Sequence, residues 1–297
     1  MATEYISPRY VDLDSWSSAE MIEAMYEGQL AAAGAVRGAL KAIAAAVDDA
    51  VPALQRGGRL VYAGAGTSGR IGVQDGTELP PTFDWPVDRL VFAMAGGLGA
   101  LVQSVEGAED DEDEGGRAVA DAGIGADDVV IGIAASGTTP FTIGVLRAAS
   151  AAGAVTIALA NNPDAPLFLV ARHGIMVETG PEVIAGSTRM KAGTAQKIVL
   201  NLLSTSLMVK LGRVHRGLMV HMRPSNAKLR RRAEGMVAQI VGCSEAEAAH
   251  LLERGAGDVK VAVLLGLGLA EADAAELLGR HAGNLRLAIA EFNEGND

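Results

Sequence analysis

Apolar residues along this chain follow two rhythms. Short, β-branched apolar runs at 59–63, 89–94, 128–134, 154–160 and 174–178 read as buried strands. Between most of them apolar positions recur every three or four residues, the spacing of a helix face. Ser17-Ser18-Ala19-Glu20 fits a capping box, and Val36, Leu40, Ile43, Val47, Val51 and Leu54 then mark one helix face, which Gly57-Gly58 ends. Such alternation predicts an α/β fold, a parallel sheet sandwiched by helices. A long apolar helix is expected over 187–211. Ser244-Glu245-Ala246-Glu247 is a second capping box. Helical patterns follow near 244–254, 258–266 and 271–280, with Asn284 starting a last turn. The chain thus divides into an N-terminal helical segment (1–58) packing on the core, an α/β domain (59–225) and a small C-terminal helical bundle (226–297).

Three stretches break the rhythm. Three prolines in Pro80-Pro81-Thr82-Phe83-Asp84-Trp85-Pro86 predict a loop. The acidic run 109–114 reads as a solvated loop or helix start. Residues 213–235, with Arg223, Lys228, Arg230, Arg231 and Arg232, read as a solvated linker or helix.

Composition narrows the class. Of 297 residues 49% are hydrophobic, enough for a packed core, and only 4% are aromatic, which argues against base stacking. A formal charge of −11 disfavours general binding to nucleic acid or an anionic membrane, though not to a small anion held by local groups. Cys243 is the single cysteine, so no intrachain disulfide forms and a reducing compartment suits the chain. Residues 1–10 lack a secretory pattern, and the uncharged block 261–270 is too short to span a bilayer. A cytoplasmic protein without nucleic-acid or membrane partners is expected.

Two turns carry the candidate chemistry. Gly64-Ala65-Gly66-Thr67-Ser68-Gly69-Arg70 follows one strand pattern; Ala134-Ala135-Ser136-Gly137-Thr138-Thr139-Pro140 follows another. Each is strand, then a small hydroxyl-rich turn, then a helix start. Helix N-termini present unpaired N–H groups and partial positive charge to anions. Glycine allows close approach, and Ser or Thr adds donors. Thr67, Ser68, Ser136, Thr138 and Thr139 are therefore phosphate candidates, with helix capping the competing role. Gly64, Gly66 and Gly69 also spell a dinucleotide fingerprint. That motif wants an acid at the end of the next strand, where this chain has Phe92-Ala93-Met94-Ala95-Gly96. The five histidines are scattered, without metal-ligand spacing, and no metal is expected.

Five blocks in order carry a resemblance. They are the first turn, Asp75-Gly76-Thr77-Glu78-Leu79-Pro80-Pro81-Thr82-Phe83, Val105-Glu106-Gly107-Ala108-Glu109-Asp110, the second turn, and the segment from Gly186-Ser187-Thr188-Arg189-Met190-Lys191 to Lys197. Over nearly its whole length the chain resembles the sugar isomerase (SIS) family of phosphosugar-binding domains and, within it, the N-acetylmuramic acid 6-phosphate etherases. Gly76-Thr77 stands where that family usually has Ala-Ser, and Thr188 where it often has Ser.

The resemblance implies a flavodoxin-like three-layer SIS fold with a ubiquitin-associated-like bundle, and a homodimer whose sites lie near the subunit interface. It implies a phosphosugar substrate, loss of its D-lactyl ether by elimination and hydration, and no cofactor. Glu78 and Glu109 match the family's catalytic positions, Glu78 as acid and Glu109 as base. Gly66, Thr67, Ser68, Ser136, Gly137, Thr138, Thr139, Ser187, Thr188 and Lys191 match its substrate-binding blocks, Lys191 as a local cation. A non-catalytic phosphosugar sensor and an aldose–ketose isomerase are the alternatives on the same fold.

Overall fold

The computed structural model describes residues 2–103, 105–224 and 226–294. The chain forms two compact units, Met1–Thr77 with Asp88–Ser204, and Glu78–Val87 with Thr205–Asp297.

The first unit is built on five strands: β1 (Leu60–Gly64), β2 (Leu90–Met94), β3 (Val129–Ile133), β4 (Val155–Ala160) and β5 (His173–Met176). All neighbours are parallel, in the order β2-β1-β3-β4-β5. β1, β3 and β4 are buried along their whole length, which is why their sequences are continuous apolar runs rather than alternating ones. In register, Gly64 pairs with Met94 on one side and Ile133 on the other, so the ends of β1 and β3 are level.

Helices cover both faces. α4 (Glu112–Asp121) and α5 (Pro140–Ala151) pack on each other. Phe141, Val145 and Leu146 of α5 and Val119 of α4 meet Val61, Ala63, Val130 and Ala158 in one core. By strand alternation, Tyr62 and Ile131 point to the opposite face. There α3 (Gly66–Phe83) passes over Tyr62, as the neighbours of Gly72 and Gly76 show. α2 (Leu40–Gln55) packs on β3, β4 and β5. Its buried face includes Ile43, Val47 and Leu54, while Leu40 is exposed. α1 (Ser18–Ala35) begins with the expected capping box, Ser17 and Glu20 bonding reciprocally. By length and composition Ser18–Gln55 would also pass as a membrane span, with mean hydropathy 1.5; the packed face of α2 gives its apolar residues a use within the sheet unit.

The proline-rich loop is corrected in part. Pro80 and Pro81 lie inside α3, which runs to Phe83. Proline is costly in a helix because its N–H is missing and its ring crowds the preceding turn. Here the pair sits in the last turn, where the chain soon leaves the helix. Arg213 donates to the carbonyls of Phe83 and Asp84, at 2.6 and 2.8 Å, satisfying groups that a helix end leaves unpaired. Its guanidinium also stacks 4.9 Å over the Trp85 ring, which is fully buried.

After the end of α6 (Lys191–Lys210) and a stretch of turns, the second unit contains α7 (Ala227–Val241), α8 (Glu245–Arg254), α9 (Val259–Gly266), α10 (Glu271–Arg280) and α11 (Leu285–Glu294). The core joins Val237, Leu252, Val263, Leu278 and Leu285. Ser244 caps α8, Asn226 caps α7, and Asn284 accepts from the Arg286 N–H at the start of α11.

Candidate active site

Chain order reverses between β1 and β3, because β2 is added on one side of β1 and β3 on the other. Open parallel sheets bind ligands at such a point, beyond the strand ends, where the two following loops diverge. Both hydroxyl-rich turns leave these two strands. α3 starts at Gly66 after β1, and α5 starts at Pro140 after β3.

A cavity of about 530 Å³ lies over them. Gly66, Thr67 and Ser68 line it from the first turn, and Ser136, Thr138 and Thr139 from the second. Glu109, Asp110, Thr188 and Glu4 complete its wall. Glu109 also borders an adjoining hollow of about 380 Å³ with Gly66, Arg70 and Glu106. Three carboxylates, Glu4, Glu109 and Asp110, thus stand beside two helix N-termini and a set of hydroxyl donors.

Each turn is fixed from behind. The Asn161 N–H and the Asn162 side-chain amide both donate to the Ala135 carbonyl, at 3.0 and 2.8 Å. The Leu167 N–H donates to the Gly137 carbonyl at 3.0 Å. Gly137 has φ +72°, and a Cβ there would stand 2.2 Å from that of Ala165, so a larger residue displaces the turn. Thr139 occupies the N-cap position of α5 without a side-chain cap bond, so capping does not account for its hydroxyl. Ser136 Oγ accepts from the Thr138 N–H at 3.2 Å. On the first turn, Arg70 donates to the carbonyls of Ala100 and Leu101, at 2.8 and 3.1 Å, tying α3 to the loop after β2.

Behind α3 lies a buried polar cluster. Asp75 accepts from Tyr62 Oη at 3.0 Å and from the Asn201 amide at 2.7 Å, and Lys197 Nζ stands 4.0 Å away. Burial, and then the Asp75 carboxylate, push the Tyr62 phenol well above its usual range. The departure at Gly76 has a steric cause: a Cβ there would come within 2.6 Å of the Phe92 ring and 2.9 Å of Tyr62.

Not every expected residue faces the cavity. Gly137 shapes the second turn from behind, and Ser187 and Lys191 are not among the lining residues. Lys191, expected as a local cation, donates from Nζ to the Pro181 carbonyl at 2.8 Å, and no lysine or arginine lines this cavity among the described residues. Burial holds Lys191 below the ordinary lysine value, with Glu182 opposing. Glu182 is itself engaged by the N–H groups of Lys191 and Ala192, at 2.9 Å each, at the start of α6. Glu78 is exposed on α3 and belongs to the second unit; the next residue, Leu79, is buried.

Glu4, Asp110 and Glu106 were not anticipated at the site. Asp110 and Glu106 lie within three residues of Glu109, so their proximity was available in the sequence. Glu4 had no signal. Its turn is docked by Thr3, whose N–H donates to Asn162 Oδ1 at 3.3 Å and whose carbonyl accepts from the Gly186 N–H at 3.0 Å.

Comparison with known proteins places this architecture. Residues 42–150 match the Glucokinase regulatory protein N-terminal SIS domain, and residues 110–206 match the SIS domain. A phosphoheptose isomerase from Francisella tularensis shares the fold, with a TM-score of 0.50 at 19% identity, covering 65% of this chain and 100% of that one. The N-acetylmuramic acid 6-phosphate etherase of Deinococcus radiodurans is 52% identical over 269 residues, 90% of this chain and 88% of that protein. The protein of the same name from Erwinia tasmaniensis is 47% identical over 265 residues, 89% of this chain and 87% of that protein. With identity at that level across almost the full length of both partners, the chain belongs to the N-acetylmuramic acid 6-phosphate etherase family.

Proposed function

We propose that this protein is a carbon–oxygen lyase acting on N-acetylmuramic acid 6-phosphate. It releases D-lactate, leaves N-acetylglucosamine 6-phosphate, and serves the recycling of cell-wall amino sugars. The observation that carries the reading is the single cavity joining both turns to Glu109, in a chain half identical to named etherases.

The phosphoryl group sits against the N-termini of α3 and α5. It accepts from backbone N–H groups and from the hydroxyls of Thr67, Ser68, Ser136 and Thr139. The sugar reacts as the open-chain aldehyde. Its C2–H bond is acidic because the carbanion delocalises into the C1 carbonyl. Glu109 takes that proton, the electron pair forms a C2=C3 double bond, and the C3–O bond breaks. Glu78 protonates the departing lactyl oxygen, which would otherwise leave as a costly alkoxide. Water then adds at C3, giving a proton to Glu78, and Glu109 returns one to C2. Both carboxyl groups end in their starting states.

The exposure of Glu78 suits a residue that completes a site at a subunit boundary, so the working form is a homodimer. A stripe of exposed apolar side chains on α1 (Ile22, Tyr26 and Leu30) is consistent with such an interface. The single cysteine suits the reducing cytoplasm.

Lactate release from N-acetylmuramic acid 6-phosphate by the purified protein tests the reading. Stoichiometric D-lactate is expected. Saturable binding without lactate would make it a sensor, and turnover of simple hexose phosphates alone would make it an isomerase.

A further inference from the structure

A cavity of about 830 Å³ lies in the helical unit, and none of the residues given a catalytic or phosphate-binding role above lines it. Asp84, His221, Arg223, Arg230, Glu253 and Lys260 line it. Lys260 is unusual among them. It is only 5% exposed, and its ammonium bonds to a neutral partner, the His221 ring, at 3.0 Å.

The nearby acids do not neutralise this charge by contact. Asp258 uses its carboxylate to cap α9, accepting from the N–H groups of Lys260 and Val261, at 2.8 and 3.3 Å. Asp84 pairs with Arg223 at 3.0 Å. Among the described residues neither the guanidinium of Arg230 nor the carboxylate of Glu253 has a hydrogen-bond or ion-pair partner. Burial, and then the charge of Lys260, push His221 down to about 3, so the ring is neutral and offers a lone pair to the ammonium. Burial holds the Lys260 ammonium below its ordinary value as well, and an anion joining it would favour the charged form. Two basic side chains without a carboxylate in contact, one a planar guanidinium fork, suit a phosphoryl group. The volume exceeds what bare phosphate fills, and Glu253 can accept from hydroxyls.

We propose that this cavity is a second anion site, which takes a small hydroxylated phosphate monoester of the sugar-phosphate class, its phosphoryl group gripped by Lys260 and Arg230. The site is separate from the reaction assigned to the sheet unit, and the two assignments fail separately.

Calorimetric titration of the full chain with N-acetylglucosamine 6-phosphate tests it. Two molecules per chain are expected. The double variant Ser136→Ala/Thr139→Ala should lose one, and Arg230→Ala or Lys260→Met should weaken the other at least tenfold. Inorganic phosphate should bind the second site at least tenfold more weakly than the sugar phosphate. One molecule per chain, lost with the sheet variant and unaffected by Arg230→Ala, overturns the inference alone. No binding at all overturns both assignments. Equal affinity for inorganic phosphate overturns the sugar part. Lys260 is buried, so if its variant unfolds by circular dichroism, the exposed Arg230→Ala variant decides.

Discussion

The two cavities proposed to hold an anion are built in opposite ways. The one over the sheet has no lining cation among the described residues; it offers helix N-termini, backbone N–H groups and hydroxyls, with Glu109 at its edge. The one in the helical unit is built from side-chain charge, with Lys260 and Arg230 lacking a carboxylate partner. The difference matters for chemistry. Neutral donors can hold a phosphate without strongly stabilising a nearby carboxylate in its charged form, so an acid and a base beside them remain able to exchange protons. Ammonium and guanidinium groups would hold neighbouring carboxylates ionised. The first cavity suits proton transfer, and the second suits binding.

The largest effect should come from removing proton transfer while keeping the sheet cavity intact. Glu109→Gln is expected to lower kcat about 10²- to 10⁴-fold, the usual range for a positioned general base, with little change in affinity for N-acetylglucosamine 6-phosphate. Glu78→Gln should behave alike. Mixing the two inactive variants under conditions that exchange subunits should restore part of the activity if one site draws on two chains. Full activity in either single variant would remove that residue from the mechanism.

Acid should next separate the units. His221 is held at about 3 when folded, against an unfolded value near 6.5. Below that unfolded value the unfolded chain binds a proton that the folded one refuses. Stability of the helical unit should therefore fall as pH drops from about 6.5 to 3, by about 1.4 kcal/mol per unit at full slope. His221→Asn should flatten this dependence in urea melts taken at successive pH values. An unchanged slope would show that the ring is accessible to protons in the fold.

A smaller change concerns the geometry of the second turn. Gly137→Ala forces a Cβ into Ala165 at a left-handed φ of +72°. It should cost about 1–3 kcal/mol of stability and raise KM, with kcat affected less. A variant with wild-type melting and KM would mean that the turn relaxes freely.

These contrasts also explain what the sequence could reveal. The first cavity was legible because its donors are contiguous: two runs of small and hydroxyl residues, each directly after an apolar strand. The five strands were legible for the same local reason. The fate of Lys191 was not, since a loop carbonyl at Pro181 captures it. Nor was the helical turn at Pro80-Pro81, whose cost is met by Arg213, about 130 residues away. The second cavity gathers residues 84, 221, 223, 230, 253 and 260 from separate segments. Nothing short of tertiary structure brings them together, and residues 213–235 read only as a basic stretch.

Ionic strength gives the finest separation of the two designs. At 0.1 M salt the Debye length is about 10 Å, and at 1 M it is about 3 Å. Arg230 carries a full charge and is exposed, so salt competes directly with its attraction for phosphate. The sheet cavity works through dipoles and hydrogen bonds that act at contact distance, where screening is weaker. Raising salt from 0.1 to 0.5 M should therefore weaken the helical site several-fold more than the sheet site, read by calorimetry on variants that keep one site each. Equal weakening would mean that the sheet site draws on a cation after all, and Lys197, beside Asp75, is the first residue to test by Lys197→Met.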